Sequence, residues 1–289
     1  MNAQLSRIVF GLAIFAVGSA APLARMSGDM SPISLGFGRV FIVGVLMAIW
    51  AGIPKMNSRE WFLTIFAAVC LAGHFWTWFA SLESTTVLRS TVLVCLNPLW
   101  VGLWEWMRSG VFKPRFWAGT VLSLFGALVM SMGSIEVTSS QVSSLYGDGL
   151  ATLAGLLGSV YLIATKEVRA SVSVHAYSAA VCLITAACLF VAGMTRGINV
   201  TTDILIAPWI VLAMALGPQL FGHAGLTWCL EKIEASTVAL GLLLEPVGAA
   251  LLAWWWFKEA PTTQETLGAT VILIGLMIAL RSKSSSNPN

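Results

Sequence analysis

The two halves of the chain repeat one series of landmark residues. The first series consists of His74, Pro98, Gly119 and Gly126, and the second consists of His223, Pro246, Gly268 and Gly275. The intervals are 24, 21 and 7 residues in the first series and 23, 22 and 7 in the second. Repetition on this scale predicts two copies of one structural unit, over residues 1–137 and 138–281.

The composition excludes a domain that folds in water. Hydrophobic residues make up 57% of the 289 residues, charged residues make up 10%, and the mean hydropathy is +0.85. Soluble domains usually carry about 25% charged residues. A helix needs about 20 apolar residues to cross the hydrocarbon layer of a membrane. Ten stretches approach or meet that length, at approximately 6–25, 34–53, 61–82, 86–107, 116–133, 148–169, 175–194, 206–230, 236–257 and 264–281.

Each copy therefore contains five predicted spans. An odd number of crossings places the second copy in the opposite orientation to the first, and inverted copies of this kind enclose the binding site of many carriers. The predicted fold is an all-α integral membrane protein of ten transmembrane helices, arranged as two inverted five-helix repeats around a central cavity.

The distribution of basic residues predicts the orientation. With a cytoplasmic N-terminus, eleven of the 16 Lys and Arg residues lie on the inner side and five lie at or near the outer side. An excess of basic residues marks the cytoplasmic side, so both termini are expected there, and residues 282–289 are expected to form a disordered tail. Arg39 and Arg89 are expected near the outer surface, where arginines extend to headgroups or pair with acids such as Asp29 or Glu83.

Polar residues and prolines coincide at mid-membrane depth. Glu245 lies near the centre of the ninth span, and Pro246 leaves the carbonyl of Leu242 without its helical donor. The fourth span has Asn97 before Pro98, and the eighth has Pro218. Broken helices with polar neighbours indicate the binding site of a carrier, so the three prolines are predicted to act as helix breaks or hinges.

Glu245 has three possible roles at this stage. No basic residue is expected at the central depth of any span, so the carboxylate lacks an obvious partner. It could be neutral, carry a transported proton or meet the ammonium group of a substrate.

Aromatic and hydrogen-bonding residues share helix faces at the same depth. His74 and Trp78 are one turn apart, and Asn97 and Trp100 lie on one face of the fourth span. Small-molecule pockets commonly combine rings with a few polar groups. The predicted substrate-binding residues are His74, Trp78, Asn97, Trp100, Tyr161, Glu245, Phe15 and Ser19. His223, among small residues, is expected to serve helix packing or an inner closure.

Several classes of function lack their residues. The sequence contains no GxxxxGK[ST] phosphate loop, no HExxH and no GxSxG, so no ATP site, cofactor, catalytic residue or enzymatic activity is predicted. The five cysteines lie in apolar stretches without metal-ligand spacing, and no metal is expected. A net charge of +3 without a basic run excludes a nucleic-acid partner.

Three motifs resemble a known family. Leu244-Glu245-Pro246-Val247, Phe257-Lys258-Glu259 and the pair Gly268 and Gly275 resemble the second EamA-type repeat of the drug/metabolite transporter superfamily. Asn97-Pro98-Leu99 with Gly119 and Gly126 resembles the first. The resemblance implies a ten-helix transporter in the inner membrane of a bacterium. The first half has no acidic residue that matches Glu259.

The aromatic residues around His74, Trp78 and Trp100 resemble those of family members that export aromatic amino acids. The resulting hypothesis is an exporter of aromatic and other apolar amino acids that works by alternating access, with amino acids and membrane lipid as partners. A multidrug or organic-cation exporter is the alternative, and a non-transporting membrane scaffold is a third. Energy coupling and oligomeric state stay open.

Overall fold

The computed structural model describes residues 3–52, 55–84, 90, 93–132, 145–258 and 260–281. The secondary structure of these residues is helical, without strands. Arg89, Glu259, the side chain of Glu83 and the predicted tail 282–289 lie outside the described residues. The first half contains α1 (Ala3–Gly18), α2 (Ala20–Arg25), α3 (Pro32–Ala51), α4 (Ser58–Ser84), α5 (Asn97–Ser109) and α6 (Pro114–Met132).

The second half continues the helical bundle. It contains α7 (Leu145–Val168), α8 (Val174–Thr195), α9 (Val200–Asp203), α10 (Pro208–Met214), a π-helix (Ala215–Ala224), α11 (Gly225–Cys229), α12 (Ala235–Leu242), α13 (Glu245–Phe257) and α14 (Thr263–Leu280). The helices α10, π and α11 follow one another without a gap and form one rod.

Eight stretches of the described residues are long and apolar enough to cross a membrane. They are Leu5–Arg25, Pro32–Ala51, Ser58–Ser81, Leu145–Val168, Val174–Thr195, Pro208–Cys229, Ala235–Phe257 and Thr263–Leu280, and Pro114–Val129 is a shorter apolar helix. The predicted span 86–107 lies partly outside the described residues, so ten crossings stay a prediction. The structure confirms an all-helical membrane protein.

Two helices that correspond in the two halves, α6 and α14, pack in an antiparallel and reciprocal way. A Cβ atom on Gly119 would overlap the carbonyl oxygen of Gly275, and one on Gly126 would lie 2.8 Å from the carbonyl oxygen of Gly268. The two glycines of each helix thus face those of the other in reverse order. Reciprocal contacts of this kind are what a two-fold axis produces.

The same reciprocity relates two other helix pairs. Gly73 of α4 precedes His74, and its added Cβ would lie 2.9 Å from Leu157 of α7. Gly222 of the π-helix precedes His223, and its added Cβ would lie 2.7 Å from Val17 of α1. The third span (α4) therefore packs on the sixth (α7) in the same way as the eighth span (the π-helix) packs on the first (α1). These contacts support the predicted inversion of the two repeats.

Helix breaks place the polar residues. α5 begins at Asn97 and α13 begins at Glu245, with Pro98 and Pro246 in their first turns, where proline needs no N–H donor. The break predicted at Pro218 does not occur. The rod stays helical there, as a π-helix instead of an α-helix.

Many large apolar side chains face outward. Leu12 of α1, Ile49 of α3 and Trp255 of α13 are each at least 65% exposed. An apolar exterior of this extent marks a membrane-contacting surface, so these side chains are suited to contact lipid tails.

Candidate functional site

One cavity lies between helices of both halves. It encloses about 860 Å³ of space between atoms, including the part open to solvent. Its polar and aromatic lining residues are Arg39, His74, Phe75, Trp78, Asn97, Tyr161, His223, Thr227 and Glu245. Apolar side chains such as Val17, Leu71 and Leu162 complete the wall. Ligand pockets usually have this mixture of an apolar wall and a few polar groups.

The structure brings five of the predicted site residues together in this cavity. They are His74, Trp78, Asn97, Tyr161 and Glu245. Asn97 and Glu245 reach it from the first residues of α5 and α13, which follow the turns before Pro98 and Pro246. The positive end of a helix dipole favours a carboxylate, so the start of α13 suits Glu245.

Three other predicted site residues are not among those that line the cavity. Phe15 is 52% exposed and faces away from it, so its placement there was wrong. The side of α1 that lines the cavity carries Val17, and residues two apart point to different sides of a helix. Ser19, in the break after α1, donates a hydrogen bond to the carbonyl of Ala16 at 2.6 Å. Trp100 is half-buried, and its indole nitrogen has no partner among the described residues.

Arg39 is buried in the cavity wall, and its expected position near the headgroups is wrong. Only 1% of its surface is exposed. Its Nε donates a hydrogen bond to Oε1 of Gln219 at 3.0 Å, and its guanidinium carbon lies 4.7 Å from the ring centre of Phe75. Both partners come from other helices, so the sequence of α3 alone did not reveal which way Arg39 points. Arg39 lies seven residues, or about two helical turns, after Pro32, and this depth within the helix was the signal that the sequence offered.

His74 is oriented by a contact between α4 and α7. Its Nδ1 lies 2.8 Å from the carbonyl oxygen of Ala154. A carbonyl only accepts, so Nδ1 donates and the neutral ring keeps Nε2 as an acceptor. Gly158 makes this approach possible, because an added Cβ there would lie 2.9 Å from Nδ1.

His223 also lines the cavity, although packing or an inner closure was expected for it. Its ring meets that of Phe75 edge-on at 5.9 Å. The two histidines that correspond in the two repeats thus lie in one cavity. The internal repeat contained this signal, but the small residues beside His223 suggested helix packing instead.

Polar contacts connect helix ends at the membrane face that holds the N-terminus of α1, here called the N-terminal face. Tyr161 and Thr227 lie at the cavity end nearest this face, with their hydroxyl oxygens 3.4 Å apart. Beyond them, Arg169 is 3% exposed, donates from Nε to the carbonyl of Thr227 at 3.2 Å and forms an ion pair with Glu231 at 3.0 Å. Lys166 donates to the carbonyl of Ile233 at 3.0 Å. We call these contacts the closing layer, because they lie between the cavity and the N-terminal face.

The charges in this closing layer shift each other's ionisation. Burial lowers the pKa of Arg169, and the charge of Glu231 opposes that effect. A hydrogen bond from Lys232 and the charge of Arg169 lower the pKa of Glu231. A carboxyl with a lowered pKa contributes stability above its unfolded-state pKa and loses it as the pH falls. The ion pair is therefore complete at neutral pH.

The described residues contain no group of three or more His, Cys, Asp or Glu side chains that could hold a metal ion. All five cysteines have free thiols.

Comparison with known proteins gives one family over most of the chain. The sequence profile of the EamA-like transporter family matches residues 6–132 and again residues 145–281. An uncharacterized transporter of Archaeoglobus fulgidus is 22% identical over 261 residues, which cover 86% of this chain and 88% of that protein. The uncharacterized transporter YwfM of Bacillus subtilis is 24% identical over an alignment of 295 positions, which covers 96% of this chain and 94% of that protein.

The crystal structure of another protein has the same fold. It superposes with a TM-score of 0.77 at 20% sequence identity, over 99% of this chain and 100% of that one. The family match and the two similar transporters define a multi-pass membrane transporter rather than an enzyme. The chain belongs to the EamA-like transporter family, whose profile it matches twice.

Proposed function

We propose that this transporter exports amino acids with aromatic or other large apolar side chains across the inner membrane of a bacterium. The observation that carries the proposal is the cavity between the two halves, which joins the carboxylate of Glu245 to the rings of His74, Trp78 and Tyr161. Such a cavity offers one anionic group for an ammonium and a ring-lined wall for an apolar side chain.

The aromatic wall favours flat side chains. Trp78 stacks on His74 with ring centres 6.3 Å apart and on Phe79 with ring centres 4.9 Å apart. Its indole nitrogen is buried and has no partner among the described residues. Aromatic pairs gain about 0.5–1.5 kcal/mol beyond the area they bury. The aromatic residues around His74, Trp78 and Trp100 resemble those of the aromatic amino acid exporter YddG.

The proposed mechanism is alternating access between two inverted five-helix repeats, with both termini in the cytoplasm. The closing layer of Arg169 and Glu231 then lies on the cytoplasmic side and must open for a substrate to enter from there. Pro98 and Pro246, beside the turns before α5 and α13, let these helices swing. Glu245 either pairs with the substrate ammonium or carries a proton.

Efflux from proteoliposomes tests this function. Vesicles of purified protein are loaded with labelled tryptophan or alanine, and efflux is followed with and without a pH gradient. Trp78→Ala is expected to lower tryptophan efflux by roughly tenfold, the effect of about 1.4 kcal/mol, and alanine efflux much less. Trp254→Ala is the matched control, because Trp254 is 52% exposed on the outside of α13. Equal losses for the two substrates would contradict the contact, and no efflux of any amino acid would contradict the function.

An organic-cation exporter is the second candidate, because a carboxylate among aromatic rings also suits a lipophilic cation. Competition distinguishes the two. Excess tetraphenylphosphonium should leave tryptophan efflux unchanged if amino acids are the substrates, whereas strong inhibition together with its own transport would favour the second candidate.

A further inference from the structure

Arg39 has a buried hydrogen-bonding group that the protein leaves unused. Its Nη2 atom is inaccessible to solvent and has no hydrogen-bond partner among the described residues. Arginine has five N–H donors and no acceptor. The N–H at Nε donates to Gln219, and the ring of Phe75 covers the guanidinium carbon, with its centre 4.7 Å away. A buried cation with a free donor edge needs an acceptor.

The surroundings of Arg39 fix its orientation without neutralising its charge. Gln219 donates from Nε2 to the sulfur of Cys182 at 3.6 Å, which turns its Oε1 toward Arg39. Gln219 is neutral, so the positive charge stays. Glu245 lines the same cavity, but the two side chains form no ion pair within 4.0 Å. The cavity therefore holds a guanidinium and, apart from it, a carboxyl group that carries the opposite charge when it is ionised.

We propose that Arg39 binds the carboxylate of the transported amino acid while Glu245 binds its ammonium group. A guanidinium with a free N–H edge pairs with carboxylates through charge-assisted hydrogen bonds. Two separated charges of opposite sign match the two ends of a zwitterion, and the aromatic wall takes the side chain. This proposal rests on the proposed function, because it names how that cavity recognises the α-amino acid head group.

The pair of opposite charges at Arg39 and Glu245 also discriminates between amino acids and simple amines. An amine without a carboxylate meets Glu245 but leaves Arg39 unpaired, and it brings a second positive charge close to it. Such a ligand is disfavoured, because specificity comes from unpaired charges as much as from attractive contacts.

Binding measurements with matched ligands test the role of Arg39. Tryptophan and tryptamine share the indole and the amine, and only tryptophan has the carboxylate. Calorimetry on the purified protein in nanodiscs is expected to show wild type binding tryptophan at least about tenfold tighter than tryptamine, as loss of a charge-assisted hydrogen bond implies. Arg39→Gln is expected to remove that difference by weakening tryptophan while leaving tryptamine unchanged or tighter.

A second variant keeps the test valid if Arg39→Gln does not fold. Gln219→Glu is nearly isosteric and places a carboxylate against Arg39, so it should compete with the substrate carboxylate. It is expected to weaken tryptophan at least about tenfold and leave tryptamine unchanged or tighter. Equal weakening of both ligands in these variants would show a purely structural role and overturn the proposal.

The failures of the two proposals are distinguishable. Wild type that binds tryptophan and tryptamine equally would overturn the role of Arg39 and leave amino acid export standing. Wild type that binds none of tryptophan, phenylalanine and leucine would overturn both.

Discussion

At the scale of single residues, Asn97 and Glu245 hold corresponding positions in the two halves but differ in charge. Each begins a helix and is followed by a proline. The first repeat therefore contributes an amide to the cavity, and the second repeat contributes a carboxyl group at the corresponding position. If the proposed function holds, this asymmetry gives the site a direction, because a zwitterion then has only one way to place its ammonium group against Glu245.

Glu245→Gln keeps the shape of the side chain and removes its charge. Tryptophan efflux is expected to fall by about tenfold or more, because a charged hydrogen bond contributes about 1.5–3 kcal/mol. Initial rates over a range of tryptophan concentrations and pH gradients provide the measurement. Loss of affinity indicates an ammonium partner, and loss of the response to the pH gradient indicates a proton site. Unchanged transport in both assays would exclude either role.

Depth within the spans was the sequence property that selected the candidate site residues, and their role in binding stays a prediction. His74, Trp78, Asn97, Tyr161 and Glu245 lie at mid-span, and all five line the cavity. Which side of a helix faces the cavity depends on packing against other helices. Phe15 was therefore placed wrongly, and Arg39 was missed.

At the scale of helices, glycines determine how closely α6 and α14 approach. Gly119 packs on the backbone around Gly275 and Ala279, and Ser123 donates a hydrogen bond to the carbonyl of Ile272 at 3.1 Å. Small residues allow this backbone contact in membranes, where lipid tails compete with any apolar surface. The seven-residue spacing of the glycines predicted such a seam, but not that each helix would meet its own counterpart.

Gly119→Ala tests this packing. The added Cβ would lie 2.6 Å from the backbone nitrogen of Ala279, too close for the two helices to keep their separation. Overpacking of this kind costs about 1–3 kcal/mol, so the melting temperature of the purified protein is expected to fall. Gly11→Ala is the control, because nothing lies within 4 Å of its added Cβ. Equal melting temperatures for the two variants would contradict the seam.

Pro218 shows what local sequence rules missed at this scale. A proline in mid-helix predicted a break, but the chain forms a ten-residue π-helix around Pro218 instead. Packing of α1 and α3 against this rod keeps it helical, and contacts from distant elements are not visible in a local pattern.

At the scale of the whole molecule, the closing layer lies between the cavity and the N-terminal face. Arg169, Lys166 and Glu231 join the ends of α7 and the eighth span at the N-terminal face. The proposed alternating access requires this layer to be closed in one state and open in a second. The repeat and the spans followed from spacing and hydropathy, whereas the pairing of helices between the halves needed the structure.

Labelling of the cavity from each face of the membrane shows whether the protein alternates between two states. In a cysteine-free background, Thr227→Cys places a thiol at the cavity end nearest the N-terminal face. Ser58→Cys, exposed at that face, reports vesicle orientation. An impermeant maleimide is expected to label Thr227→Cys mainly from the opposite face when no substrate is present. When tryptophan is supplied, labelling from the N-terminal face is expected to increase. Labelling from one face only, whether or not tryptophan is present, would contradict it.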